Sequence, residues 1–126
     1  MKIFTSKGKD YSELEELIFE IEKETYEFDV LHSFIESNIW QLEEVEDLDF
    51  STRKMFAKEI RENLNKQKEI DLKLNDLKYR KLKKEIKKLK IFGHTPDSFL
   101  RWIEQEKEKR GIHNFWKEYR ENKNVK

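Results

Sequence analysis

The stretch that decides the fold is "ELEELIFEIEKETYEFD", residues 13–29, near the start of the chain. Its apolar residues recur three and four positions apart, and the pattern continues as far as Leu42. This spacing places them on one broad face of an α-helix. Ser12 and Glu15 have the spacing of a capping box, which closes the first turn of a helix. We therefore predict one long helix over about residues 12–42.

A second apolar stripe lies nearly opposite the first on this helix, made of Phe19, Tyr26, Val30 and Phe34. A helix with two apolar faces needs two partners, since each face gains by leaving water. The next helix of the chain is one of them. The other is either the C-terminal region or another protein molecule. Our hypothesis is that these four residues bind a partner protein; burial under the C-terminal helices stays open as the alternative.

A second helix is predicted over about residues 52–91, where apolar residues again recur at helical spacing. Ser51 can cap its first turn, with Phe50 and Met55 placed as a hydrophobic staple. Residues 65–69 contain no apolar side chain, so a hinge there is an open alternative.

The stripe of the second helix changes phase between Leu77 and Leu82. The stretch "GHTPDSF", residues 93–99, then marks a break between helices. Gly93 suits the left-handed conformation that ends a helix, and Thr95 followed by proline suits the start of the next. Two shorter helices are predicted after this break, over about residues 96–110 and 114–122.

The composition indicates the fold class. Three glycines and one proline in 126 residues are too few for the frequent turns of a β-rich protein. Nine Phe, four Tyr and three Trp supply more core-forming material than a disordered chain carries. We predict an all-α protein with a long, coiled-coil-like antiparallel helical hairpin and two shorter C-terminal helices packed on it. Residues 1–126 are predicted to form a single helical domain.

Charge is distributed unevenly along a chain whose formal net charge is zero. Residues 1–50 hold four Lys and fifteen acidic residues, and the remainder holds 23 Lys or Arg and twelve acidic residues. The acidic first helix is therefore predicted to lie beside a second helix whose latter half is basic.

The most basic stretch is "KYRKLKKEIKKLK", residues 78–90, with eight Lys or Arg and one acid. Tyr79, Leu82, Ile86 and Leu89 follow helical spacing, so one side is predicted to be buried. The charged side is either a solvated helix face, a surface that pairs with acidic protein, or a nucleic-acid surface. A membrane surface is disfavoured because the apolar side carries no Trp or Phe. The candidate nucleic-acid-binding residues are Arg80, Lys81, Lys83, Lys84, Lys87 and Lys88.

Several function classes are excluded or disfavoured. The absence of cysteine excludes disulfides, cysteine-ligated zinc and cysteine nucleophiles. No glycine-rich phosphate loop is present, and the three histidines lack metal-ligand spacing. No apolar run approaches the length of a membrane span or the core of a signal peptide. We therefore predict a cytoplasmic protein that is not an enzyme and uses no cofactor or metal.

The predicted function is that of a non-enzymatic protein–protein interaction module, whose partner is another protein or a second copy of the chain. The bias toward Lys, Glu, Ile and Asn suggests a small regulatory or inhibitory factor of a bacterium, phage or mobile element. The alternative is a nucleic-acid-binding accessory protein that uses residues 78–90.

Overall fold

Every regular element in the described part of the chain is a helix. The computed structural model describes residues 3–4 and 8–118. Its elements are α1 (Ser12–Glu44), α2 (Phe50–Asp76), a π-helical segment (Leu77–Leu82), α3 (Lys83–Lys88) and α4 (Pro96–Arg110). Residues 115–118 are also helical, whereas residues 119–122 of the predicted last helix lie outside the described residues. The all-α prediction is confirmed.

The chain divides into two compact units. Unit 1 comprises Met1–Lys23 and Leu74–Lys126, and unit 2 comprises Glu24–Lys73. Unit 2 contains the second part of α1, the loop over residues 45–49 and nearly all of α2. Unit 1 contains the start of α1, the π-helical segment, α3 and α4.

Unit 2 is the predicted antiparallel hairpin, and polar contacts show its register. Near its open end, Lys73 Nζ lies 2.7 Å from Glu24 Oε1. Four residues later on α1, the carbonyl oxygen of Phe28 accepts a hydrogen bond from Gln67 Nε2 of α2 at 3.2 Å. Nearer the loop, Asn38 donates to Glu59 at 3.3 Å. Positions on α2 fall as those on α1 rise, so the two helices run antiparallel.

The start of α2 differs from the prediction. The backbone amide of Thr52 donates to the carboxylate of Asp49 at 2.7 Å, so Asp49 rather than Ser51 caps the helix. This hydrogen bond, from an amide that α2 cannot satisfy itself, lowers the pKa of Asp49. Phe50 is the first residue of α2 and is 80% exposed, so it does not form the predicted staple with Met55.

Unit 1 holds most of the core. Among the described residues, its buried apolar side chains come from the N-terminal segment, α1, α2, the π-helical segment, α3, α4 and the last helical turn. These side chains are Ile3, Leu14, Leu17, Ile18, Phe19, Ile21, Leu74, Leu77, Leu82, Ile86, Leu89, Phe99, Ile103 and Phe115. The ring of Phe4 adds stacking contacts with Tyr11, at 4.9 Å between centroids, and with Trp102, at 6.0 Å.

The first turn of α1 is closed differently from the predicted capping box. The carboxylate of Asp10 accepts from the backbone amide of Ser12 at 3.0 Å. The carboxylate of Glu15 instead accepts from the backbone amides of Ile3 and Phe4. Glu15 therefore ties the N-terminal segment to α1 and does not reach back to the helix start.

The π-helical segment covers the residues where the apolar stripe changes phase. A π turn holds more residues than an α turn, so Leu77 and Leu82, five positions apart, are both buried. Tyr79 was predicted on the buried side, and this is wrong. Its ring is about half exposed, and its hydroxyl donates to Asp97 at 2.9 Å.

Between α3 and α4, over residues 89–96, one residue ends α3 and another caps α4. Lys90 adopts the left-handed conformation with φ 56°, and the amide of Ile91 donates back to Ile86 at 3.0 Å. Lys90 therefore ends α3, whereas Gly93, with φ 84°, lies in the turn that follows. Thr95 caps α4 through a capping box with Ser98, as the prediction for Thr95 requires.

Candidate functional site

The four residues predicted to bind a partner are separated by the fold. Phe19 belongs to the buried core of unit 1. Tyr26, Val30 and Phe34 belong to unit 2, where they follow one another four residues apart along α1. Val30 is half-buried, and Phe34 is 57% exposed. The structure therefore places three of the four residues together on the surface of the hairpin.

An apolar groove runs between α1 and α2 within unit 2. Its volume is about 400 Å³. The residues that line it are Tyr26, Glu27, Val30, Leu31, Lys66, Glu69 and Ile70. The groove thus has an apolar floor with charged side chains of both signs, which is the mixture that protein-binding surfaces present. Phe34 continues the line of Tyr26 and Val30 by one further turn of α1.

Exposed apolar side chains are concentrated on unit 2. Among the described residues, eight of the ten large hydrophobic side chains that are exposed belong to this unit. They are Tyr26, Phe34, Ile39, Trp40, Phe50, Met55, Leu64 and Leu72. Ile35 is its only described apolar side chain that is almost fully buried, and others, such as Val30, Leu31 and Ile70, are half-buried. Unit 2 therefore has more large apolar side chains that are exposed than side chains that are fully buried.

The two helices of the hairpin differ in charge. Residues 24–44 of α1 contain six acidic residues and no Lys or Arg. Residues 50–73 of α2 contain seven Lys or Arg and four acidic residues. Their contact includes the pair Lys73–Glu24, in which Glu24 is buried and Lys73 is half-exposed. One helix of unit 2 is therefore acidic and the other is mildly basic.

The candidate nucleic-acid residues lie on the exposed side of the π-helical segment and α3, in unit 1. Arg80 pairs with Asp76, and Lys88 lies 3.0 Å from Glu13 of α1. The hydrogen bond from Lys88 to Glu13 raises the pKa of the lysine. Of the six candidates, the other four, Lys81, Lys83, Lys84 and Lys87, are exposed and form no ion pair within 4.0 Å among the described residues. Four of the six residues are thus available to an anionic ligand.

A buried polar cluster in unit 1 was not predicted from the sequence. Lys107 Nζ lies 3.2 Å from Glu22 Oε2 and 2.7 Å from Glu104 Oε1. The side chains of Lys107 and Glu22 are only 7% and 9% exposed. Glu22 Oε2 also accepts from the backbone amide of Phe115 at 2.8 Å, which ties the last helical turn to α1. Helical spacing alone assigns Lys107 to a solvated face, so no sequence signal identifies this pair.

Burial has the largest effect on the pKa of Glu22 in this cluster. Burial raises the pKa of Glu22, although Lys107 and the backbone amides act in the opposite direction. One carboxylate oxygen, Glu22 Oε1, is buried and has no hydrogen-bond partner among the described residues. Because solvent barely reaches these groups, their chemistry is that of a structural ion pair that positions residues 115–118.

Metal-ligating groups are scattered in the described residues. His32 lies 2.9 Å from Glu36 on the exposed side of α1, and His94 Nδ1 lies 3.2 Å from Ser98 Oγ. Across residues 3–4 and 8–118, no three His, Asp or Glu side chains gather in a way that would hold a metal ion. None of the described helices combines the length and apolar character that crossing a membrane requires.

The chain gives no significant match to a protein-family model, to a curated protein or to a solved structure. The side chains described above are therefore the basis for assigning a function.

Proposed function

We propose that this protein is a non-enzymatic interaction module that binds another protein through the groove face of unit 2. This face is defined by Tyr26, Val30 and Phe34 of α1 together with Ile70 of α2. The observation that carries the proposal is the concentration of exposed apolar side chains on the hairpin, beside a single buried one. Exposed apolar side chains that gather on one surface, as Tyr26 and Phe34 do, are typical of an interaction site.

The energetics favour an occupied groove. Burial of one large apolar side chain stabilises a complex by roughly 1.5–3 kcal/mol. Phe34 and Tyr26 are aromatic side chains with much of their surface still in contact with water. Aromatic residues at the centre of an interface often supply most of its binding energy. The charged residues Glu27, Lys66 and Glu69 at the groove would then form the polar rim.

The finer form of the proposal concerns the role. We propose a small cytoplasmic regulatory or inhibitory factor of a bacterium, phage or mobile element, which acts by occupying a surface of its partner. The support for a binding role is the apolar face; the support for the setting is the amino-acid bias toward Lys, Glu, Ile and Asn.

The test uses one substitution in each unit. Phe34→Asp introduces a charge in the groove face, and Phe92→Asp makes the same change at a side chain of unit 1 that is 85% exposed. Both variants are expected to retain the helical circular dichroism spectrum. Binding is measured by titration with any protein that the unmodified chain retains from a lysate of its host, and self-association is measured by light scattering. Phe34→Asp is expected to raise the dissociation constant by at least about 30-fold. Phe92→Asp should bind like the unmodified chain.

The proposal is wrong if the unmodified chain is strictly monomeric and retains no protein from a lysate of its host. Equal binding by both variants would also contradict it, because the groove face would then contribute nothing.

The second candidate function is nucleic-acid binding through the basic segment. The observation in its favour is the exposure of Lys81, Lys83, Lys84 and Lys87 without an ion pair in the described chain. The experiment is a titration of labelled DNA and RNA at low and moderate salt. Binding that falls steeply with salt and is lost on combined replacement by Ala would support it; the set to replace is Lys81, Lys83, Lys84 and Lys87. No binding at low salt would eliminate this candidate.

A further inference from the structure

We propose that unit 1 binds single-stranded nucleic acid through the exposed lysines of the basic segment and through the ring of Phe92, which stacks on a base. The inference rests on the second candidate function and deepens it, because it names the form of the nucleic acid and a residue that contacts bases. The groove face of unit 2 plays no part in this site.

Four lysines form a continuous positive surface on the solvent side of the π-helical segment and α3. This lysine face consists of Lys81, Lys83, Lys84 and Lys87, all of which are exposed. Lys87 is four residues from Lys83 and three from Lys84, so their side chains are neighbours on the helix. Like charges at this spacing destabilise a helix, and a ligand that carries several negative charges relieves their repulsion.

The acidic groups close to the lysine face do not neutralise it. Asp76 pairs with Arg80, and Glu13 of α1 lies 3.0 Å from Lys88. Both carboxylates therefore have cations outside the lysine face. Glu85 is the only acidic residue of the basic segment and is half-buried. Although the net charge of the chain is zero, this surface keeps an excess of positive charge.

Phe92 lies next to the lysine face. The backbone amide of Ile91 donates to the carbonyl oxygen of Ile86 at 3.0 Å. Because Lys87 follows Ile86 and Phe92 follows Ile91, the backbones of Lys87 and Phe92 are close together. The side chain of Phe92 is 85% exposed, more than any other large hydrophobic side chain among the described residues. A phenyl ring left in water contributes little to folding, whereas it can stack on a nucleic-acid base.

An exposed ring beside unpaired lysines favours a single strand over a duplex. The bases of a duplex stack on one another, so lysines would contact its phosphates while the ring of Phe92 would have no base to stack on. The bases of a single strand are free to stack on aromatic side chains while cations bind the phosphates. A nucleotide chain also carries one negative charge on every unit, which matches a face of lysines with no acid among them.

The experiment measures fluorescence anisotropy of labelled strands of about 12 nucleotides at low salt. The probes are a thymidine oligonucleotide, a strand of equal length whose sugars carry no bases, and a duplex of the same length. The thymidine strand is expected to bind at least about 5-fold more tightly than the base-free strand, because stacking adds to the phosphate contacts. Phe92→Ala should weaken binding of the thymidine strand at least about 5-fold and leave binding of the other two probes unchanged.

Two further variants serve as controls. Phe50→Ala changes a side chain of unit 2 that is 80% exposed, and it should bind every probe like the unmodified chain. Combined replacement of the lysine face by Ala should remove binding of all three probes. Helical circular dichroism spectra are expected to be retained, because each substituted side chain is exposed.

The outcomes separate this inference from the second candidate function. Equal affinity for the thymidine and base-free strands, or binding that Phe92→Ala leaves unchanged, would overturn the single-strand site. If the lysine replacement still removed binding in that case, nucleic-acid binding through phosphate contacts would stand. No binding of any probe at low salt would overturn both. Tighter binding of polyglutamate than of the thymidine strand would also overturn both and would indicate an acidic protein as the ligand.

Discussion

Units 1 and 2 are both built from amphipathic helices, yet they bury their apolar side chains to different extents. Among the described residues, fourteen of the fifteen buried apolar side chains belong to unit 1, and Ile35 alone belongs to unit 2. Unit 1 brings several helical elements and an N-terminal segment around one core. Unit 2 has only two helices, and a pair of helices can cover no more than one side of each. The number of packed elements, rather than apolar content, therefore decides which unit has a core.

This difference has a functional consequence. Unit 1 buries enough apolar side chains to form a core of its own. The hairpin gains stability only if something covers its remaining apolar surface. We therefore expect substitutions in unit 1 to affect folding stability most, and the proposed recognition of a partner protein concerns unit 2. Each of the following experiments compares a matched pair of substitutions.

The largest expected effect is on the core of unit 1. Phe99 is almost completely buried, so Phe99→Ala should lower the free energy of unfolding by about 3–5 kcal/mol. Phe50→Ala, at an 80% exposed position of unit 2, should change it by less than about 0.5 kcal/mol. Urea denaturation of both variants measures the difference. Equal losses would show that unit 2 has a core comparable to that of unit 1.

The next effect concerns the buried ion pair. Lys107→Met leaves Glu22 buried without its cation and should cost about 3 kcal/mol at neutral pH. Lys73→Met also leaves a buried carboxylate, Glu24 of unit 2, without its cation, but the lysine is 49% exposed, so water can reach the place it leaves and the loss should be smaller, about 1–2 kcal/mol. Denaturation of each variant under the same conditions gives the comparison, and a larger loss for Lys73→Met would contradict it.

The pH dependence of Lys107→Met has a definite sign. Burial raises the pKa of Glu22 in the folded protein above its ordinary value of 4.5, so the folded state holds its proton more tightly than the unfolded state. This group therefore makes stability fall as pH rises from about 4.5 through the raised pKa. Removal of the lysine raises this pKa further. The loss caused by Lys107→Met should shrink as pH is lowered toward 5, and a loss that grows on acidification would contradict this account.

The smallest effect tests a helix end in unit 1. Lys90 adopts φ 56°, a conformation that a side chain disfavours and glycine accepts. Lys90→Gly is expected to raise the free energy of unfolding by about 0.5 kcal/mol. Lys87→Gly, within α3, should lower it by about 1 kcal/mol. Thermal unfolding of the two variants should therefore shift in opposite directions.

Much of the fold could be predicted from local signals. The helical spacing of apolar residues predicted the all-α fold and the antiparallel hairpin, and Thr95 with Pro96 predicted the start of α4. The errors occur where several residues compete for one role. Ser51 and Asp49 both suit a helix cap, and the carboxylate of Asp49 is the one that accepts from Thr52. Lys90 rather than Gly93 ends α3, since Lys90 adopts φ 56° and the amide of the next residue donates back to Ile86.

The candidate site could be predicted only in part, because a stripe on a helix does not reveal what covers it. Phe19 and Phe34 are the same residue type on the same predicted stripe, yet one lies in a core and the other is 57% exposed. The pairing of Glu22 with Lys107 joins residues far apart in the sequence, and spacing carries no information about such a contact.

The sequence by itself determined which segments are helical and which face of each is apolar, since periodicity and capping act over a few residues. Only the tertiary structure decided which apolar faces are buried, which charges are paired and where the π-helical segment places Tyr79. Burial depends on neighbours brought together from distant positions, so "ELEELIFEIEKETYEFD" forms one helix whose first part enters a core and whose last part begins an exposed face.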